Sequence, residues 1–195
     1  ADFCQDDYYV TIFYRLNTGH GPLKDARVRK ALSMAVDREA LVRDVVCGGG
    51  QSCFGFTPDG AGYSTPHGVE FNPEKARALL AEAGFPGGEG FPRLELMTTS
   101  REVQKTMAEA IQGMWKKYLG IHVEIRSCEW TAYKFSQNSM QYDLSSSSWS
   151  GDYLDPSSFL DLCSAASGNN NTGWSHPEYE RLLAESRATG DQTKR

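Results

Sequence analysis

Residues 93–125, RLELMTTSREVQKTMAEAIQGMWKKYLGIHVEI, decide the fold class of this chain. From Arg93 to Thr98 polar and apolar side chains alternate with a period of two, the pattern of a half-buried strand. Thr99-Ser100-Arg101-Glu102 has the form of a capping box. Behind it Val103, Met107, Ile111, Met114 and Tyr118 recur at helical spacing as one apolar stripe, and Gly120 stops the helix. Ile121, Val123 and Ile125 then alternate again. A strand, a long helix and a strand in succession predict a parallel pair joined by a right-handed crossover.

Downstream, a short helix through Tyr133 and Phe135 leads to a third strand near Tyr142-Asp143-Leu144. Residues 93–174 thus read as a β-α-β-α-β unit with ligand-facing loops. A terminal helix over 175–195 opens at Ser175-His176-Pro177-Glu178 and carries Tyr179, Leu182 and Leu183 on its apolar side. Upstream, residues 1–92 form a helical and loop-rich part. It begins with a strand run, Tyr8-Tyr9-Val10-Thr11-Ile12-Phe13-Tyr14, β-branched and aromatic but without an early partner. Asp25 starts a helix with Val28, Leu32, Ala35 and Val36 on one face. Asp37 caps a second helix that carries Leu41, Val42 and Val45 and ends at Gly48-Gly49-Gly50. Residues 54–71 are a turn-rich irregular loop. Asn72 and Pro73 open a further helix that buries Leu79, Leu80 and Ala83 and ends at Gly84. The whole is expected to be a single α/β lobe, a mixed or parallel sheet flanked by helices. An opening strand without a neighbour and a last helix whose stripe is still running suggest a piece of a larger protein.

Composition narrows the function. Of 195 residues 39% are hydrophobic and 23% charged, an ordinary globular balance, and the net charge of −5 argues against a nucleic-acid partner. No stretch approaches the length of a membrane span. The cysteines Cys4, Cys47, Cys53, Cys128 and Cys163 contain no C-x-x-C pair, so a structural metal site is not expected. Cys47 and Cys53 flank a flexible loop. They are either two reduced thiols or a bridge worth about 2 kcal/mol.

In open α/β sheets ligands bind at the carboxyl ends of strands. Three segments occupy such ends: Thr98-Thr99-Ser100, Ser127-Cys128-Glu129-Trp130, and Ser148-Trp149-Ser150-Gly151-Asp152-Tyr153. A later loop, Gly168-Asn169-Asn170-Asn171-Thr172-Gly173-Trp174, adds amides and another aromatic ring. Flat apolar faces with hydrogen-bonding groups suit a small solute, although strand-end tryptophans also serve as core and Asn-Gly loops as plain turns. Catalytic readings fare worse. Ser150 lacks the glycines of a nucleophile elbow. His20, His67, His122 and His176 are dispersed and read as solvated, and Gly48-Gly49-Gly50 does not lead a strand into a helix as a phosphate cradle does. Asp155-Pro156 reads as a helix start rather than as half of an acid–base pair. No catalytic residue, metal or cofactor is assigned.

Five segments together resemble the oligopeptide/dipeptide-type extracellular solute-binding proteins of family 5. They are Asn17-Thr18 with Pro22 and Asp25 to Leu32 followed by Ala35-Val36-Asp37-Arg38; Asn72 to Gly84; Leu119-Gly120-Ile121; Trp149 to Pro156; and Asn169 to Trp174. The resemblance runs through essentially the whole chain in order. It implies the carboxyl-terminal lobe, domain III, of a type II periplasmic-binding-protein-like fold, with another lobe closing over it. It further implies an extracytoplasmic, monomeric, non-enzymatic protein that binds peptides or similar small solutes and delivers them to the membrane permease subunits of an ABC importer. By the same resemblance Asp152 pairs with a peptide's α-ammonium group, Trp149 walls a side-chain pocket, and Asn169 to Asn171 lie beside the cleft. Ser148, Tyr153 and Gly151, where backbone could approach a ligand, are counted with them as ligand-binding from the strand-end segment they share. This chain departs from similar oligopeptide binders in the run Ser145 to Ser148, where they can carry an arginine for the carboxylate of a short peptide. Oligosaccharides and metal chelates therefore stay open as ligands. A hydrolase using the serine-rich strand end, and an interaction domain without a small ligand, are the readings from other classes.

Overall fold

The structure of the chain, a computed structural model, describes residues 8–60, 62–191 and 193–194. Four strands, β1 (Val10–Leu16), β2 (Leu94–Thr99), β3 (Val123–Cys128) and β4 (Leu144–Ser150), form one sheet in the order β1-β4-β2-β3. β2 runs parallel to both β3 and β4, as the strand–helix–strand pattern requires. β1 is antiparallel to β4, with Val10 opposite Ser150 and Leu16 opposite Leu144. The opening strand therefore finds its partner in the last one, and the sheet is mixed.

Alternation of side chains across the strands gives each face its own layer. Leu94, Leu96, Val123 and Leu144 point into the main core. There they meet Val28 and Leu32 of α1 (Ala26–Met34), Ala76 and Leu80 of α3 (Pro73–Glu82), and Ile111, Trp115 and Leu119 of α4 (Glu102–Leu119). Met97 and Cys128 form a smaller cluster with Tyr142 and with Tyr133 of α5 (Trp130–Asn138). The first helices are capped as their sequences predict. Asp25 accepts from the Arg27 amide, Asp37 from the Ala40 amide of α2 (Arg38–Leu41), and Asn72 from the Lys75 amide with Pro73 at the first position. After α2 a π turn over Val42–Val46 ends at Cys47, in the left-handed region just before the glycines.

Cys47 and Cys53 are free thiols, and the Cys53 thiol donates to the Gly55 carbonyl at 2.7 Å. Cys4 and the residues around it lie outside the described part of the chain. Neither α6 (Ser157–Leu160) nor α7 (Pro177–Ala188) nor any other described helix is long and apolar enough to cross a membrane.

Three local expectations need correction. The capping box at Thr99–Glu102 does not form. Thr99 is still extended as the last residue of β2, its hydroxyl is hydrogen-bonded to the Gln104 side chain, and Arg101 takes the cap position without a side-chain bond. The buried stripe of α4 follows Met107, Ile111, Trp115 and Leu119, while Val103 in the first turn is 53% exposed. Met114 and Tyr118 are only half-buried, because the Trp115 indole, bonded to α1, sets the phase of the helix. Leu182 is likewise exposed, leaving Leu183 as the buried residue of α7.

The turn that ends α4 is a close backbone crossing. Gly120 has φ +71, and a Cβ there would lie 2.2 Å from the Gly87 carbonyl oxygen. Gly120→Ala is expected to destabilise the protein by about 1–3 kcal/mol, through left-handed strain and overpacking together. A Cβ at Gly113, inside the same helix, would meet nothing within 4 Å. Gly113→Ala is expected to stabilise by about 0.5–1 kcal/mol through helix propensity. Urea unfolding of both variants checks the contrast; equal effects would remove the crossing as the cause.

Candidate functional site

At the carboxyl ends of the parallel strands the structure gathers side chains from five places in the sequence around a cavity of about 100 Å³. Thr99 comes from the end of β2, Trp130 from the start of α5 after β3, and Ser148 and Trp149 from the end of β4. Asn169 comes from the late loop, and Arg15 from β1. A larger hollow of about 340 Å³, lined by residues that include His20, Glu95 and Asp143, lies at the amino ends of β2 and β4. It is open to solvent, and its loop is held by the Asn17 amide, which donates to the carbonyls of Met140 and Tyr142. The smaller cavity is the candidate site because it is walled by rings and lies where open sheets bind ligands.

The serine run explains much of its chemistry. Ser145 and Ser146 are buried and used internally. Ser145 Oγ lies 3.0 Å from the Tyr133 hydroxyl and accepts from the Gln137 amide at 3.2 Å, and Ser146 Oγ donates to Thr98 Oγ1. Ser147 and Ser148 line the cavity with Lys134 of α5. Among the described lining residues there is no histidine and no carboxylate.

Trp149 is half-buried, and its indole N–H donates to the Ser158 carbonyl at 2.8 Å. The hydroxyl of the same buried serine accepts from the Asp152 amide at 2.8 Å. Ser158 thus fixes both the ring that walls the cavity and the loop that carries Asp152. The Asp152 and Tyr153 side chains are exposed and do not line the cavity. Asp155 supports the same loop by accepting from the Ser157 amide at 2.9 Å, as expected of a residue that starts a helix. At Gly151 the close approach is to aromatic rings, since a Cβ would fall 2.5 Å from Tyr9 and 3.0 Å from Phe159.

The three asparagines divide. Asn169 is exposed and reaches the cavity. The Asn170 amide donates to the carbonyls of Cys163, Ser164 and Trp174, which holds the loop together. Asn171 is buried, donates to Asn138 Oδ1 at 3.3 Å, and accepts from the Tyr142 hydroxyl through its carbonyl. Ser148, Trp149 and Asn169 are therefore brought together, whereas Gly151, Asn170 and Asn171 serve the loops around them.

Arg15 and Lys134 are site residues that spacing along the chain does not single out. Arg15 is only 6% exposed. Its Nε donates to Ser147 Oγ at 3.2 Å and its Nη1 to the Asn169 carbonyl at 2.5 Å. Burial lowers the guanidinium's pKa. The Lys134 ammonium is also pushed down, first by burial and then by repulsion from Arg15. The available signal was an arginine inside a strand run that is otherwise β-branched and aromatic.

Comparison with known proteins places this geometry in context. The family model of the bacterial extracellular solute-binding proteins, family 5 Middle, matches residues 4–171. The oligopeptide-binding protein OppA of Bacillus subtilis is 33% identical over 192 residues, covering 94% of this chain and 35% of that protein. The periplasmic murein peptide-binding protein MppA of Escherichia coli is 35% identical over 182 residues, covering 90% and 34%. A solved periplasmic oligopeptide-binding protein of Borrelia burgdorferi matches with a TM-score of 0.90 at 38% identity, covering 97% of this chain and 39% of that one. The chain thus spans about a third of the length of the curated relatives it matches.

Proposed function

This chain belongs to family 5 of the bacterial extracellular solute-binding proteins, and on that premise we propose that it is one lobe of a peptide-binding protein serving an ABC importer. The longer protein closes a second lobe over the strand-end cavity, outside the cytoplasmic membrane, and hands its solute to a permease. The observation that carries this reading is the convergence of Trp130, Trp149, Ser148 and Asn169 on one small cavity at the carboxyl ends of β2 and β4. Two rings and several fixed polar groups suit an extended backbone with varied side chains. Asp152, on the adjacent exposed loop, takes the ligand's α-ammonium group. Relatives named for oligopeptides and murein peptides support the peptide class.

Binding in such a protein is a population shift: the ligand stabilises the closed state by touching both lobes. This gives the test. Calorimetric titration of the intact protein with a panel of di- to pentapeptides is expected to find micromolar or tighter binding, and the isolated chain is expected to bind the same peptides weakly or not at all. Failure of every peptide, with binding of an oligosaccharide or a metal chelate instead, would replace the ligand class. Tight binding by the isolated chain would remove the two-lobed mechanism.

A further inference from the structure

Arg15 is a charge in an expensive place. A guanidinium taken out of water needs a compensating partner, and buried charges are ordinarily paired. Yet among the described residues no ion pair includes Arg15 or Lys134. The groups that favour the Arg15 charge are Tyr142, Tyr133 and Cys163, phenols and a thiol rather than carboxylates. Burial pushes the Tyr142 hydroxyl up to about 12 and raises the Cys163 thiol, so these two supply no negative charge near neutral pH. Arg15 holds its place with bonds from Nε and Nη1 to a hydroxyl and a carbonyl and with its guanidinium 5.3 Å from the centre of the Phe13 ring, none of them a charged partner, and among the described residues no bond leaves Nη2. Lys134, on the same cavity, donates to the Gln137 side chain at 3.2 Å and lies 5.8 Å from the centre of the Trp130 ring. Two cations thus face one small cavity whose described lining residues include no acid.

We propose that this cavity is an anion subsite in which Arg15 and Lys134 bind a carboxylate of the solute. A cavity of about 100 Å³ matches a single small polar group such as a carboxylate better than a whole peptide. A guanidinium held in one plane offers the fork geometry that a carboxylate accepts, while the ammonium acts as a point charge beside it. The free subsite keeps two repelling cations together, so the carboxylate also relieves that repulsion. The identity of the ligand as a peptide rests on the preceding proposal; the anion subsite itself stands on the placement of Arg15 and Lys134.

A peptide can offer such a carboxylate from its terminus or from an acidic side chain, and the test separates them. The intact protein is titrated with Ala-Ala-Ala as free acid and as carboxamide, and with the carboxamides of Ala-Glu-Ala and Ala-Gln-Ala. Within one of these two pairs the carboxylate form is expected to bind about 30-fold tighter, and Arg15→Gln is expected to abolish that preference, whatever it does to the affinity common to both members of the pair. The pair that shows it names the source. Lys134→Gln is expected to reduce the preference by less, and serves if Arg15→Gln does not fold. No preference in either pair, or a preference that survives both substitutions, overturns the subsite. If none of the probes binds, the peptide reading falls, and acetate followed by the Arg15 Nε–H resonance still decides the subsite. A saturable shift supports it; no shift overturns it.

Discussion

Replacing Asp152 with alanine in the intact protein weakens peptide binding by about 2–5 kcal/mol, the loss typical when a desolvated charge pair is left with one partner. The magnitude is the informative part. In the single lobe the Asp152 side chain is exposed, and its loop is held from behind by the Ser158 hydroxyl on its backbone amide. An ion pair formed there in open water would contribute only about 0–1 kcal/mol. The larger figure requires a second lobe to remove solvent from the carboxylate once the ligand's α-ammonium has arrived. Titrating wild type and Asp152→Ala with one peptide, as the free amine and as the N-acetylated form, checks this directly. The substitution is expected to affect the free amine and to leave the acetylated peptide nearly unchanged. A loss below about 1 kcal/mol would mean that Asp152 stays hydrated in the complex, and an equal loss for both peptides would assign it to loop structure.

The legible parts of this protein were those set by local periodicity. The β2–α4–β3 crossover could be read from residues 93–125 because each element there carries its own period and its own stop. The caps at Asp25, Asp37 and Asn72 were readable for the same reason, each being a contact between residues two or three positions apart. The capping box at Thr99 failed because a strand and a helix claimed the same residue, and pairing with Cys128 in the sheet kept Thr99 extended. The stripe on α4 was read correctly at Met107 and Ile111 but falls one position short beyond them, at Met114 and Tyr118 instead of Trp115 and Leu119, because the phase there is set by α1 through a bond between residues 83 positions apart.

The candidate site was legible in its location but not in its charge. Strand ends can be found by counting, and of the segment so marked at the end of β4 Ser148 and Trp149 line the cavity while Gly151, Asp152 and Tyr153 do not; Asn169 comes from a later loop. The serine run itself contains no cation. The one that reaches it, Arg15, comes from a strand 132 positions away and enters through antiparallel pairing of β1 with β4, which puts Arg15 opposite Ser145. No period in either segment encodes that neighbour. The asparagine loop shows the converse limit. Residue type marked Asn169, Asn170 and Asn171 alike, and only the fold decides that the Asn170 amide is spent on three carbonyls while Asn169 remains exposed beside the cavity.

Trp115→Ala is expected to destabilise the protein by about 3–5 kcal/mol, the cost of emptying a large aromatic site in a core. Trp115 is 4% exposed, packed among the helices on the sheet face that carries Leu96 and Leu144. Its indole N–H donates to the Leu32 carbonyl at 2.9 Å. Leu32 lies in the last turn of α1, where carbonyls lack partners within the helix, so the indole both fills space and satisfies an end group. Trp115→Phe separates the two roles: it keeps most of the apolar volume and loses the donor, and should cost about 1–2 kcal/mol for an unsatisfied buried carbonyl. Urea unfolding followed by far-ultraviolet circular dichroism reads both variants, with a lower midpoint and an unchanged slope as the expected result. Because α4 packs on the sheet face away from Tyr133 and Met97, peptide affinity well below the melting temperature should not change. Trp115→Ala thus moves stability without affinity, and Asp152→Ala moves affinity without stability. Were the tryptophan substitution to cost less than about 1 kcal/mol, or to weaken binding in step with Asp152→Ala, the separation of a supporting face from a binding edge in this sheet would be wrong.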